Sequence, residues 1–449
     1  MIKNVSEVAK NALHLDAIKI LEEGLKAADP INAVRKAVRV SGGKVFVGRE
    51  CVTLGRCVHI VGFGKASVRM ARGLIELVGS SRVCGGAVIA PEAVGMDLGN
   101  VSVLRGDHPI PGDNTLASTE EVLRYIRSNR GPGEVFFVLI SGGGSALFEK
   151  PLEPLRIEDI AVVNKLLLRS GADIYEVNAV RKHLSSVKGG RLARLLKPST
   201  TVSLIISDVV GDRVDTIASG PTAPDSTTYS TAYDVLKNYG LWGEVPGPVR
   251  DVITMGLRGL IPETPKPGDP VFKDVANVII ASNLISLRAM AAKARELGYT
   301  PVLLTSMMEG EAREVGRFIA GIARHVRAYG EPVKPPVALL FGGETTVTVR
   351  GEGVGGRNQE LVLAFAIHAA GVKDAVLASI GSDGKDGVSD AAGGIVDGGT
   401  LEEARSRGLN LREFLRRNDS YTVLKELGRA IFTGLTGTNV NDLAVLLLR

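Results

Sequence analysis

The pattern that most narrows what this chain can fold into is a short β-branched run that ends in a glycine-rich loop, repeated along the sequence. Residues 59–61 run into Gly62-Phe63-Gly64-Lys65-Ala66-Ser67, and residues 135–140 into Ser141-Gly142-Gly143-Gly144-Ser145. Residues 202–206 run into Ser207-Asp208, and residues 376–380 into Gly381-Ser382-Asp383-Gly384. Amphipathic stretches such as 66–77 alternate with these runs, which predicts an α/β layer with a mostly parallel sheet. Ligands of such sheets bind outside the C-terminal ends of the strands, where all these loops would lie.

Length argues for more than one such unit, because 449 residues is about three times the ~150-residue prior for a single domain. Apolar residues at 45% and charged residues at 23% exclude a disordered, collagen-like or coiled-coil chain. An opening helix carries Val8, Ala12, Ile18, Leu21 and Leu25, interrupted by charges, with no signal peptide expected. From 242 to 271 prolines crowd the chain, with one helical stretch at 249–257. The expected division is therefore an N-terminal domain at 1–245, a Pro-rich linker at 246–272 and a C-terminal α/β domain at 273–449. In the latter, 337–341 and 345–350 flank Gly342-Gly343-Glu344 and read as a hairpin, so its sheet is expected to be mixed.

Composition also limits partners. The net charge of +5 is scattered, without the basic stripe and interleaved aromatics of a nucleic-acid binder. No apolar run approaches the ~18 residues that cross a bilayer. Cys51, Cys57 and Cys84 match neither a disulfide framework nor metal spacing, which points to a reducing cytoplasm. High Arg use with few Asn, Gln and Cys fits a thermophile.

Each glycine loop has a chemical reading of its own. Gly62 to Ser67 places amides and Lys65 at a helix start, where an anion is favoured. It is neither a P-loop nor a dinucleotide fingerprint, since Val68 and Arg69 stand where a further glycine belongs. The triplet Gly142, Gly143 and Gly144 between Ser141 and Ser145 lets amides close on a small oxyanion. Arg181, Lys182, His183, Lys188 and Arg191 form a dense basic segment suited to a carboxylate or phosphate. Asp208 at a strand end is placed for a metal or a hydroxyl. Gly355 and Gly356 precede Arg357 and Asn358 at another helix start. Asp383, Asp386 and Asp390, spaced by glycines, suit Mg²⁺ held partly by substrate phosphates better than a calcium loop. Together these are the parts that phosphoryl transfer uses.

The segments GFGKAS, HPIPGDNT, SGGGSALFEKP, NAVRKHLSSVKGGRLA, SDVVGDRVDTIASGPTAPD, FGGETTVTV, GGRNQELVLA, GSDGKDGVSDAAGGIVDG and TGLTGTNVNDL, in this order, resemble the glycerate 2-kinase family with a C-terminal MOFRL domain. The resemblance covers nearly the whole chain. It implies two α/β domains facing across a cleft, the N-terminal one Rossmann-like, and Mg²⁺-dependent transfer of the γ-phosphoryl of ATP to the 2-hydroxyl of D-glycerate. It maps the cleft cations to Lys65 and Arg357, which would neutralise the transferring group. On this basis Ser141 to Ser145 and Arg181 are expected to hold the glycerate carboxylate, and Asp208 to take the hydroxyl proton or bind Mg²⁺. Gly343, Glu344, Thr345, Gly355, Gly356, Asn358, Gly384 and Asn439 are expected around the nucleotide, with Asp383 and Asp386 on the metal. No Walker motif is present, so the adenine pocket is unassigned. Relatives labelled hydroxypyruvate reductase make an NAD(P)H enzyme the alternative, followed by a non-catalytic sugar-phosphate binder. Neither the choice of hydroxyl nor a homodimer is encoded in motif spacing.

Overall fold

The runs read as strands are strands in the structure, a computed structural model that describes residues 1–92 and 95–449. The chain divides into two units, Pro30–Ile280 and a second built from Met1–Asp29 with Ala281–Arg449.

In the first unit, a helix at Pro30–Ala37 leads into an antiparallel meander of β1 (Val38–Ser41), β2 (Lys44–Val47) and β3 (Glu50–Thr53), which the sequence reading did not anticipate. Gly42 and Gly43 turn it with φ of 57° and 71°, the positive values that a tight hairpin needs. The main sheet holds β4 (Val58–Phe63), β5 (Val83–Ala90), β6 (Val101–Arg105), β7 (Val135–Ile140), β8 (Thr200–Ile206) and β9 (Val275–Ala281). Their order is β6-β5-β4-β7-β8-β9. The pairings β4–β5, β5–β6, β4–β7 and β7–β8 are all parallel. This is the doubly wound order, in which the chain reverses direction across the sheet between β4 and β7 and leaves a crevice at their C-terminal ends. Both strands are wholly buried, as expected where helices cover both faces.

The second unit has β10 (Thr300–Met308), β11 (Val337–Gly343), β12 (Ala375–Gly381), β13 (Gly393–Asp397), β14 (Ala430–Ile431) and β15 (Asp442–Leu448) in the order β10-β11-β15-β12-β13-β14. Only β10–β11 is parallel; the other pairs are antiparallel, so the sheet is mixed as expected. The expected hairpin is absent. Both edges of β11 are taken, by β10 and by the C-terminal strand β15, so residues 345–350 have no edge to join. Thr346 instead bridges Glu311.

The units divide elsewhere than the expected boundaries at 245 and 272. The opening helix at Ala12–Ala28 lays Leu13, Ile18, Leu21 and Leu25 against Leu287, Met290, Leu340 and Val445, which ties the first 29 residues to the C-terminal half. The Pro-rich stretch is packed rather than linking: its helix Gly247–Leu257 buries Val249, Val252 and Ile253 beside Tyr229 and Leu236. Gly24 allows the helix-to-helix approach, since a Cβ there would lie 2.8 Å from Met290 Sδ. Gly24→Val is expected to cost about 1–3 kcal/mol by overpacking. The check is the denaturant midpoint, with part of the loss recovered when Met290→Ala opens space.

The cysteine reading is corrected as well. Cys57 and Cys84 are bridged, with Cα atoms 5.5 Å apart, and Cys51 is free and exposed. The parallel pairing Val58↔Val83 brings together Cys57 and Cys84, 27 residues apart in sequence, a contact that local spacing does not announce. Among the described residues no helix is long and apolar enough to cross a membrane.

Candidate active site

In the first unit the loops after β4 and β7 are stitched together at the crevice. Ser141 N–H donates to Phe63 O at 3.2 Å and Lys65 N–H to Gly142 O at 2.9 Å. The buried Ser141 hydroxyl accepts from Ala66 N–H at 3.0 Å, so it supports the loop from inside. Gly64, at φ 122°, is obligatory because a Cβ would run into Ser141. Lys65 is exposed, and among the described residues its ammonium has no hydrogen-bond or ion-pair partner. A Cβ on Gly143 would lie 3.5 Å from Lys65 Cε and 3.1 Å from His108 Nε2, so these three converge. Burial, aided by the Lys65 charge, lowers the His108 pKa and keeps its ring neutral. Asp208 lies against Gly142, whose lack of a side chain admits the carboxylate.

A polar chain continues from Ser145. Its Oγ is 3.0 Å from Ser219 Oγ, which donates to Asn178 Oδ1 at 2.8 Å. Ser219 and the preceding Ala218 have φ of 60° and 50°, strained values for non-glycine residues. His108, Ser219 and Asn178 went unassigned in the sequence, although all three fall inside the motifs that carry the family resemblance. Arg181, one turn beyond Asn178 on the helix Ile174–Leu184, donates its Nε to Asn164 Oδ1 at 2.6 Å. Its two Nη nitrogens have no protein partner among the described residues.

The rest of the basic cluster serves the interior. Lys182 pairs with Asp225 at 3.2 Å, His183 with Glu263 at 3.0 Å, and Arg191 donates to the carbonyls of Lys182 and Ser185. Lys188 pairs with Glu149, both buried, and burial lowers the Lys188 pKa. Burying that many cations without partners would be costly, so the cluster reads as structure rather than as an anion surface.

In the second unit Arg357 opens the helix Arg357–His368. It grips Asp442 bidentately, Nε to Oδ2 at 2.7 Å and Nη2 to Oδ1 at 3.0 Å, while Nη1 donates to Glu344 at 2.7 Å. Asn358 Nδ2 also donates to Asp442 Oδ1 at 2.9 Å. Asp386 lies beneath, accepting from Asn358 N–H at 3.1 Å and Gln359 N–H at 2.8 Å, so its carboxylate caps the helix start, where negative charge is favoured. Gly356 stands where a Cβ would run into Asp386, and Gly355 where one would run into Ser420. Gly343, at φ 143°, is held against the Met308 backbone, and Gly384, at φ 89°, against Gly434. Asp383 accepts Lys385 N–H through Oδ1, and Asn439 accepts Asn441 N–H at 3.0 Å. Thr345 Oγ1 is buried without a hydrogen-bond partner among the described residues.

Asp442 was given no role in the sequence, although it falls inside the motif TGLTGTNVNDL just ahead of the final apolar run. Its complete burial pushes the carboxyl up to about 7, against the pull of Arg357 and Asn358; burial likewise pushes Asp386 up to about 6. The Arg357 guanidinium is held charged by Asp442. Raised carboxyl pKa values mean that the folded state binds more protons than the unfolded chain. Their stability contribution is therefore full below the ordinary value of 3.8 and is lost as pH rises through about 6 and 7. Asp442→Asn, which does not titrate, is expected to flatten that part of a Tm-against-pH profile; an unchanged slope between pH 5 and 8 would remove the assignment.

Comparison with known proteins agrees with this architecture. Residues 16–254 match a domain of unknown function designated DUF4147, and residues 337–442 match the MOFRL family. The chain is 43% identical to a glycerate 2-kinase of Pyrococcus horikoshii, over 95% of this chain and 96% of that one. It is 41% identical to a D-glycerate 2-kinase of Thermotoga maritima, over 96% and 97%. The crystal structure of the Thermotoga maritima glycerate kinase superposes with a TM-score of 0.86 at 39% identity, covering 97% of this chain and 99% of that chain. With both domains matched in order and identity sustained end to end, the chain belongs to the glycerate 2-kinase family with a C-terminal MOFRL domain.

Proposed function

We propose that this protein transfers the γ-phosphoryl group of ATP to the 2-hydroxyl of D-glycerate, giving 2-phosphoglycerate and ADP. The observation that carries the reading is Lys65, an exposed ammonium without a hydrogen-bond or ion-pair partner among the described residues, set beside Gly143 and His108 at the crevice of a doubly wound sheet. Phosphoryl transfer demands positioning and charge neutralisation rather than a covalent nucleophile, and this loop supplies both.

Arg181, through Nη nitrogens that have no hydrogen-bond partner among the described residues, and Ser145 with the amides of Gly142, Gly143 and Gly144 hold the substrate carboxylate. Ser141 holds the loop that presents them. As the 2-hydroxyl oxygen bonds to phosphorus and the bond from phosphorus to the ADP oxygen breaks, Asp208 takes the hydroxyl proton. Neutral His108 donates or accepts a hydrogen bond to the same substrate. Lys65 and Arg357 neutralise the transferring group.

The second unit takes the nucleotide through Gly343, Glu344, Thr345, Gly355, Gly356, Asn358, Gly384 and Asn439. The orphan Thr345 hydroxyl supports a polar ligand there. Mg²⁺ arrives with ATP, which suits an ion that binds through phosphates and one or two carboxylates. Asp383 is the better protein ligand, because both oxygens of Asp386 already cap a helix.

The test is purified protein with ATP, Mg²⁺ and D-glycerate, with product detected by enolase coupling and a parallel NADH channel with hydroxypyruvate. ADP and 2-phosphoglycerate in equal amounts are expected. ADP with 3-phosphoglycerate overturns the choice of hydroxyl, and NADH oxidation without ADP overturns the kinase reading.

A further inference from the structure

At the end of the first unit's sheet opposite to Lys65, three soft or borderline ligands meet. Cys57 directly precedes β4, His59 lies two residues on and thus on the same side of the strand, and Cys84 stands next to them in β5. One ligand atom from each lies within 4.8 Å of the other two. Cys57 and His59 are buried and Cys84 is exposed, so the group has a fixed inner wall and an opening to solvent.

The imidazole is held from both sides. His59 Nδ1 is 2.7 Å from the Tyr125 hydroxyl and Nε2 is 3.1 Å from Glu134 Oε2. The ring also stacks on Phe136 at a centroid distance of 4.6 Å. A histidine oriented by a carboxylate on one nitrogen is the usual support of a zinc-bound imidazole, because the outer partner fixes the tautomer and raises ligand basicity. Two thiolates and an imidazole are the donor set that zinc prefers, with water from the open side as a fourth ligand. The Cα separation of 5.5 Å suits a disulfide, and two sulfurs at this spacing also reach a single ion.

We propose that Cys57, Cys84 and His59 form a zinc site that is available only when the Cys57–Cys84 disulfide is reduced. Opening the bridge takes two electrons and two protons; with a phosphine as reductant, the phosphine becomes its oxide with oxygen from water. Zinc then replaces the two thiol protons, and the coordinating ring nitrogen gives up its present hydrogen bond while the other keeps its partner. Disulfide and zinc exclude each other, so β4 and β5 are clamped in either state by a different bond.

The experiment uses the full chain carrying Cys51→Ser, which removes the remaining thiol, with Co²⁺ as the spectroscopic probe. The phosphine-reduced protein is expected to bind one Co²⁺ per chain, with tetrahedral visible bands and a thiolate-to-cobalt charge-transfer band that zinc abolishes. The oxidised protein is expected to show neither. Cys84→Ser, at an exposed position that spares the fold, is expected to weaken binding at least tenfold and to halve the charge-transfer intensity. Zinc is expected to raise the Tm of the reduced form alone. A reduced protein without the charge-transfer band, or an identical spectrum in Cys84→Ser, overturns the proposal. Glycerate phosphorylation by Cys84→Ser is expected to match the parent, since β4 separates this group from Lys65 by roughly 20 Å of strand.

Discussion

Lys65→Met is expected to lower kcat by about 10³-fold or more and to leave Tm within about 2 °C of the parent. The first figure is what one preorganised charge at a developing anion is worth in the transition state. The second follows from the position of the side chain: it is exposed and has no protein partner among the described residues, and substitutions of that kind cost about 0.5 kcal/mol or less. Methionine keeps the length and apolar stem, so loop geometry survives; only the charge is lost. The loop itself is held by Ser141 and by the backbone bond from Lys65 to Gly142. Steady-state kinetics with a thermal melt on the same preparation decide the matter. A kcat within tenfold of the parent would remove Lys65 from the reaction, and a collapse of Tm would show that it acts on the fold.

Arg357→Met is expected to give a kcat loss of similar size but to differ in stability. Arg357 is the counter-charge of Asp442, which is fully buried and has Asp386 as a further negative neighbour. Removing one partner of such a pair leaves an uncompensated charge at a cost of about 3 kcal/mol. The cost depends on pH with a definite sign. Without the guanidinium the Asp442 pKa rises above its already raised value of about 7, and the carboxyl takes up a proton instead of standing charged. Destabilisation is therefore largest at alkaline pH and shrinks as pH falls below 7. Arg357→Met combined with Asp442→Asn is expected to regain most of the Tm and none of the kcat. Regained turnover in the double variant would mean that Arg357 merely neutralises Asp442.

Much of the first unit was legible in the sequence. The runs at 59–61, 87–90, 135–140 and 202–206 sit inside β4, β5, β7 and β8, because parallel strands covered on both faces are continuously apolar and stand out from their surroundings. The meander β1–β3 did not stand out, since its short strands are half exposed and carry charges. The hairpin at 345–350 was misread because glycines at a strand end are equally compatible with a turn and with a close approach. Gly343 is there because the Met308 backbone leaves no room for a Cβ. The basic segment at 181–191 misled for a related reason: a run of cations looks the same in sequence whether it faces a ligand or buried carboxylates.

By itself the sequence determined the α/β alternation, the glycine loops at strand ends, and the family through motifs kept in order along the chain. These are local properties, written in periodicity over a few residues and in glycines that steric contact requires. Tertiary structure alone decided which distant groups meet. Arg357 finds Asp442 across 85 residues because β15 inserts between β11 and β12. Cys57 finds Cys84 because a parallel crossover starts two strands side by side. The opening helix joins the C-terminal half because its apolar stripe is buried against Met290 and Val445. The partner of a buried charge or an apolar stripe is set by strand order and packing, and periodicity carries neither.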